Sequence, residues 1–202
     1  LKQVTTGINV ENFSLQLHKG EILGIGGLAD CGMHEVGRVA FGIDKPITGE
    51  VRLVKKNVRV TNPQIAIENK MGYVSKDRDK EALILNGSIK DNITLPSLPM
   101  LEKGFIITKS SENNLASQNV KQMEIKCYSP AQRCDELSGG NKQKVVFAKW
   151  IGNKSDILIL DCPTRGIDVG VKANMYQLMY QLKKEGKSII MISEELPELI
   201  GM

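Results

Sequence analysis

Two uninterrupted apolar runs dominate the last third of the chain, ILIL at 157–160 and IIMI at 189–192. Runs without polar alternation are the pattern of strands buried on both faces, and such strands alternating with helices build a mostly parallel sheet. A helical period over 171–184 separates them and puts Met175, Leu178, Met179 and Leu182 on one face, which reads as core packing. A further helix is expected over 140–151. The N-terminal part has a different texture. Apolar positions alternate loosely over 9–17, HKG at 18–20 makes a turn, and 21–25 reads as a buried strand. Val36, Val39, Ala40 and Phe41 predict a helix over 33–41 that stops at Gly42. TGE at 48–50 is expected to turn into a strand over 51–54. Asn62-Pro63 is a helix start, with the helix ending near Lys70 before a strand over 71–74.

The middle, 76–131, holds DRDK at 77–80, Asn86-Gly87, Pro96, Pro99 and a polar run over 109–114. Short helices are expected over 88–93 and 111–123, so this stretch reads as a helical insert on the edge of a larger unit. No internal repeat is present.

A chain of 202 residues suffices for one good-sized domain. No window approaches the roughly 18 consecutive apolar residues of a membrane span. The chain opens at Leu1 and stops at Met202 directly after a helix-like pattern, and it is expected to be a piece of a longer protein. The net charge of +4 is spread along the chain, and with 4% aromatics there is little for bases to stack on, so no nucleic-acid partner is expected. Cys31, Cys127, Cys134 and Cys162 form no CxxC pair and no metal-ligand spacing, which points to reduced thiols. His18, before a turn, reads as solvated.

Candidate chemistry lies in three stretches. In LSGGNKQK, 137–144, two glycines beside a serine open a helix. Such a start can aim N–H groups and a hydroxyl at an anion, or serve only as a flexible turn with a capping serine. The strand over 157–160 ends in Asp161, at the strand end where α/β sheets place ligands and where an aspartate can hold magnesium through water. In GIGGLADCGMHEV, 24–36, a strand passes through glycines into a helix, as a phosphate-binding loop does.

The order LSGGNKQK, ILILDCPTRGIDVG, SIIMISEELPEL resembles the ATP-binding subunits of ABC transporters, and within them the C-terminal half of sugar-importer ATPases that carry two nucleotide-binding halves in one chain. The resemblance covers nearly the whole chain. It implies an ABC-type P-loop nucleotide-binding domain: a RecA-like core with an antiparallel β portion over 1–75 and 132–202, and a helical subdomain over 76–131. It implies ATP and Mg as cofactors. The implied partners are the N-terminal nucleotide-binding half, transmembrane permease subunits and, indirectly, a sugar-binding protein, at the cytoplasmic face of the membrane. Ser138, Gly139 and Gly140 match the signature motif, which in the family reaches the γ-phosphate held by the other half, and Gln143 continues that helix. Asp161 matches the Walker B aspartate and Asp168 the D-loop. Gly27, Leu28, Ala29, Asp30, Cys31, Gly32, Met33 and His34 match the phosphate loop, and Lys76 the Q-loop position.

Departures from the family pattern cluster. Met33 replaces the phosphate-binding lysine, and His34 the serine or threonine that ligates magnesium. Asp30 puts a carboxylate where glycine is usual. Cys162 stands at the catalytic glutamate position and Glu194 at that of the switch histidine. A charge-assisted hydrogen bond to phosphate contributes about 1.5–3 kcal/mol, and methionine supplies none of it. Imidazole is a poor ligand for a hard ion, and a thiol does not replace a carboxylate that positions water. No catalytic residue is intact, and this half is expected not to hydrolyse ATP through its own loop. Backbone N–H groups over 28–34 can still form an anion nest, or the loop can be a turn kept for packing. Cys31 and Cys162 are expected near each other, as a redox pair or as two unrelated thiols.

Overall fold

A computed structural model describes residues 1–202 apart from Ala29, Lys103 and Phe105. The chain opens with β1 (Lys2–Thr5), and β2 (Ile22–Gly26) leads through a loop into α1 (Met33–Phe41). Three short strands follow, β3 (Thr48–Glu50), β4 (Arg52–Leu53) and β5 (Val58–Arg59), and then α2 (Pro63–Glu68) and β6 (Met71–Val74). A single π-helical turn at Arg78–Ala82 precedes α3 (Ile89–Thr94), α4 (Leu98–Leu101) and α5 (Lys109–Gln122). The final stretch holds α6 (Gly139–Gly152), β7 (Ile157–Asp161), α7 (Val169–Lys184), β8 (Ser188–Ser193) and α8 (Leu196–Ile200). Among the described residues no helix is long and apolar enough to cross a membrane.

Two compact units emerge. One comprises Leu1–Tyr73, Asp156–Pro163 and Ala173–Met202, the other Val74–Ser155 and Thr164–Lys172. The first is built on a sheet of order β2-β8-β7-β6, in which β8 pairs in parallel with both β2 and β7. Every residue of β8 is buried, as its uninterrupted apolar run demands. Met175, Met179 and Leu182 of α7 are buried as well. Helix α1 turns Val36, Val39, Ala40 and Phe41 into the core, Phe41 stacks on Tyr73, and the helix ends at Gly42. The start of α2 is fixed by Asn62, whose side-chain oxygen accepts from the Ile65 N–H at 2.9 Å, with Pro63 at the first helical position.

The small antiparallel portion departs from the sequence pattern. The loose alternation over 9–17 does not become a strand; Phe13 alone of these residues joins, by a bridge to Val4. Asn12 sits in the left-handed region at φ 46°, which breaks an extended run. TGE, expected as a turn, is β3, because β1 pairs with it antiparallel. The strand expected over 51–54 is reduced to β4, paired with β5, since Val54–Lys56 winds into a 3₁₀ turn.

In the second unit α3, α5 and α6 pack on one another around Ile89, Ile93, Ala116, Val145 and Phe147. Reciprocal hydrogen bonds between Ser88 and Asp91 cap the start of α3. The sequence expectation drew the insert at 76–131 and left the following helix with the sheet; by contacts, α6 groups with the insert helices. Lys149 of α6 is buried, and its ammonium donates to the Ala82 carbonyl. Burial pushes its pKa down to about 8, partly offset by the neighbouring Cys134, whose own thiol burial pushes up to about 11.

Candidate functional site

Strands β2, β8 and β7 lie side by side and parallel, so the residues after their C-terminal ends emerge on one edge of the sheet. Strand β2 delivers the loop that leads to His34, the second residue of α1. Asp161 closes β7 and Cys162 follows it; Glu194 follows β8. The four side chains converge. His34 Nδ1 stands 2.7 Å from Asp161 Oδ1, and His34 Nε2 stands 3.3 Å from Glu194 Oε1. His34, Cys162 and Glu194 each offer a donor atom, and these three atoms all lie within 4.8 Å of one another.

The convergence is held from behind. The Tyr73 hydroxyl donates to Asp161 Oδ2 at 3.2 Å, so both oxygens of a carboxylate only 2% exposed have partners. The Cys162 N–H donates to the Ile192 carbonyl at 2.9 Å, while its φ of 47° places it in the left-handed region that non-glycine residues enter at a cost of about 1–2 kcal/mol. Next to Glu194, Ser193 Oγ donates to buried Glu198 at 2.6 Å, and the Tyr176 hydroxyl donates to the other oxygen of that carboxylate at 2.6 Å. These bonds seat α8 so close to β2 that a Cβ added to Gly26 would stand 2.7 Å from Leu199 Cδ1.

The loop itself takes a settled form. Gly32 caps α1 at φ 88°, and a Cβ there would stand 2.7 Å from Val10 Cγ2, so only glycine fits. Cys31 folds its sulfur over Gly27, where an added Cβ would stand 2.3 Å away, and its N–H donates to the Leu28 carbonyl. Met33 is 3% exposed, so the side chain at the lysine position is drawn into the core. Gly27 and Asp30 are exposed, and Leu28 is 85% exposed. Ala29 lies outside the described residues. Cys31 and Cys162 are both free thiols, one exposed and one buried, and Cys31 is not part of the His34 cluster.

The remaining positions belong to the second unit. Ser138 precedes α6 and gives that helix no side-chain cap; its Oγ accepts instead from Asn141 at 3.1 Å. Ser138 is exposed, Gly139 and Gly140 are half-buried and Gln143 is buried. A Cβ at Gly139 would meet the tip of Arg78 at 2.9 Å, and that guanidinium donates to the Arg165 carbonyl at 2.9 Å. Asp168 Oδ1 accepts from the Val171 N–H at 2.9 Å, an N-cap to α7. Lys76 is half-buried.

Sequence reasoning missed Tyr73 and Glu198. The signal for Tyr73 was a hydroxyl inside MGYV, a strand with every residue buried, since such a group needs a partner. The signal for Glu198 was weaker, the one carboxylate in the otherwise apolar LPELI of α8.

Comparison with known proteins places these observations. A family model described as "ABC transporter" matches residues 10–165. The chain is 43% identical over its whole length to the ribose import ATP-binding protein RbsA of Halalkalibacterium halodurans, and 41% identical to that of Bacillus subtilis. It spans about two fifths of the length of these curated relatives, 40% and 41% respectively. Among solved structures, the dimeric ATP-binding cassette MJ0796 in a post-hydrolysis state bound to ADP and Pi superposes with a TM-score of 0.82. That match covers 97% of this chain and 88% of the cassette at 23% identity, and it shows the fold.

Proposed function

The chain belongs to the ABC transporter family, and from that premise we propose that it is the C-terminal ATP-binding half of a sugar import ATPase, of the ribose, galactose or xylose class. It supplies the signature motif Ser138-Gly139-Gly140 in trans to a partner half and carries a degenerate site of its own. The observation that carries this reading is the imidazole of His34 lodged between Asp161 and Glu194. The aspartate that would hold magnesium through water is bonded at both oxygens to side chains of this chain. The residue at the lysine position is buried, and the donors nearest Asp161 are imidazole and thiol rather than hydroxyl and carboxylate. These residues do not fit Mg·ATP.

The signature region supports the opposite role. Ser138 leaves the first N–H groups of α6 without a side-chain cap, and its hydroxyl is exposed. Asp168 at the D-loop position is held by its bond to the Val171 N–H. The partners in this reading are the N-terminal half, transmembrane permease subunits and, indirectly, a sugar-binding protein, at the cytoplasmic face of the membrane. Exposed Leu95, Met100 and Ile106 on the helical unit suit the permease contact. The full-length relatives' printed names, "Ribose import ATP-binding protein RbsA", favour a pentose among the candidate solutes.

Mixing this chain with a separately made N-terminal half tests the proposal. Stimulated ATP turnover that falls to the level of the N-terminal half alone on Ser138→Arg is the expected result; turnover indifferent to that change overturns it. The second reading is a docking domain with no nucleotide at its own loop, favoured by buried Met33 and by Cys31 lying over Gly27. The mixing experiment separates the two, because a docking domain gives turnover indifferent to Ser138→Arg, and titration with Mg·ATP tests what both readings say of the chain's own loop. Micromolar affinity there would overturn the roles given to Met33 and Asp30.

A further inference from the structure

We propose that His34, Cys162 and Glu194 form a binding site for a zinc-class divalent transition metal, at the sheet edge where the family holds magnesium. It rests on the donor set and its spacing, and it stands whether or not the signature motif works in trans. Imidazole nitrogen, thiolate sulfur and a carboxylate oxygen are the three donor types zinc takes, whereas magnesium selects oxygen.

The spacing is close to what such an ion imposes. A tetrahedral zinc with ordinary bond lengths spaces its nitrogen and oxygen ligands about 3.3 Å apart and its nitrogen and sulfur ligands about 3.6 Å apart. His34 Nε2 and Glu194 Oε1 are 3.3 Å apart, and all three donor atoms lie within 4.8 Å of one another. The His34–Glu194 pair already has this spacing, so only the distances to Cys162 Sγ, at most 4.8 Å, need to shorten, by up to about one ångström, as the ion binds.

The imidazole is already oriented. Its Nδ1–H donates to Asp161 Oδ1 at 2.7 Å, and Tyr73 holds that carboxylate in turn. A histidine that ligates through one nitrogen while giving the other N–H to a carboxylate is the usual arrangement behind a protein-bound metal, because the carboxylate fixes the tautomer and raises the basicity of the ligating nitrogen. Cys162 is buried at φ 47° with its N–H bonded across to β8, so the backbone that carries its sulfur is held at the end of β7. A thiolate and a carboxylate neutralise a divalent ion, and a fourth position remains for water or for an oxygen of an incoming anion.

Zinc titration of the purified protein against a chromophoric chelator is expected to give one equivalent bound, with magnesium in excess failing to compete. Cobalt(II) should bind in its place with a sulfur-to-metal charge-transfer band that Cys162→Ser removes and Cys31→Ser leaves unchanged. Glu194→Gln, at a half-exposed position, should weaken zinc binding by about ten-fold or more, and Asp161→Asn by about ten- to a hundred-fold. Should Cys162→Ser fail to fold by circular dichroism, the Glu194→Gln result decides. Absence of stoichiometric zinc, a charge-transfer band that follows Cys31, or affinity unmoved by Glu194→Gln overturns the site.

Discussion

The end of the parallel sheet and the start of α6 are both candidate phosphate-facing surfaces, and they treat their polar groups in opposite ways. At the sheet end, His34, Asp161, Tyr73 and Glu194 bond to one another, Met33 is buried and Cys31 covers Gly27. At the start of α6, Ser138 is exposed and gives its helix no cap, and the neighbour of Gly139 is the tip of a long side chain. Side chains that satisfy each other and offer imidazole, thiol and carboxylate have little to offer a phosphate, whatever they offer a soft metal ion, whereas uncapped amides at a helix start await an anionic acceptor. What a motif position can bind is therefore set by whether its neighbours have already bonded it.

Glycine substitutions test that contrast with the largest expected effect. Gly32→Ala puts a Cβ into the left-handed region against Val10 and Asn9, and should cost about 3 kcal/mol in urea unfolding. Gly139→Ala need only displace the Arg78 tip, and should stay within about 0.5 kcal/mol. Equal costs at the two positions would erase the distinction between a packed loop and an open helix start.

Buried charge sharpens it next. Lys149 in the helical unit has its pKa lowered to about 8 by burial, from 10.5. Between these values the unfolded state binds more protons than the folded one, so this lysine's contribution favours folding as pH rises through the window and disfavours it as pH falls. The full difference is on the order of 3 kcal/mol. Denaturant midpoints followed from pH 7.5 to 10.5 and referenced to Lys149→Met should show that rise; a flat difference would mean the ammonium is better solvated than its burial implies. At the sheet end, His34→Ala removes a partner from buried Asp161 and should cost about 2 kcal/mol by the same unfolding measurement. Adding Asp161→Asn should recover part of that loss, because the stranded charge goes with it.

The sequence made the periodic elements legible. Helix α1 with its stop at Gly42, the Asn62-Pro63 start of α2, and the apolar runs of β7 and β8 stand within a residue or two of the pattern. Legibility fails where a distant partner decides. TGE is a strand only because β1 lies beside it, and 9–17 stays irregular although its apolar positions alternate. Motif order shows that His34, Cys162 and Glu194 depart from one family site around a retained Asp161, but each departure reads as a separate loss. That His34 is the bonding partner of Asp161, 127 positions away, follows from strand order and could not be counted along the chain.

One imidazole touching groups at the ends of β7 and β8, from a helix that β2 delivers, also has a mechanical meaning. It works as a rivet through three neighbouring strand ends. A rivet lets none of the plates slide alone, so the loops after β2, β7 and β8 should open to solvent together, with amide hydrogens at 33–35, 162 and 194–195 exchanging at one common rate.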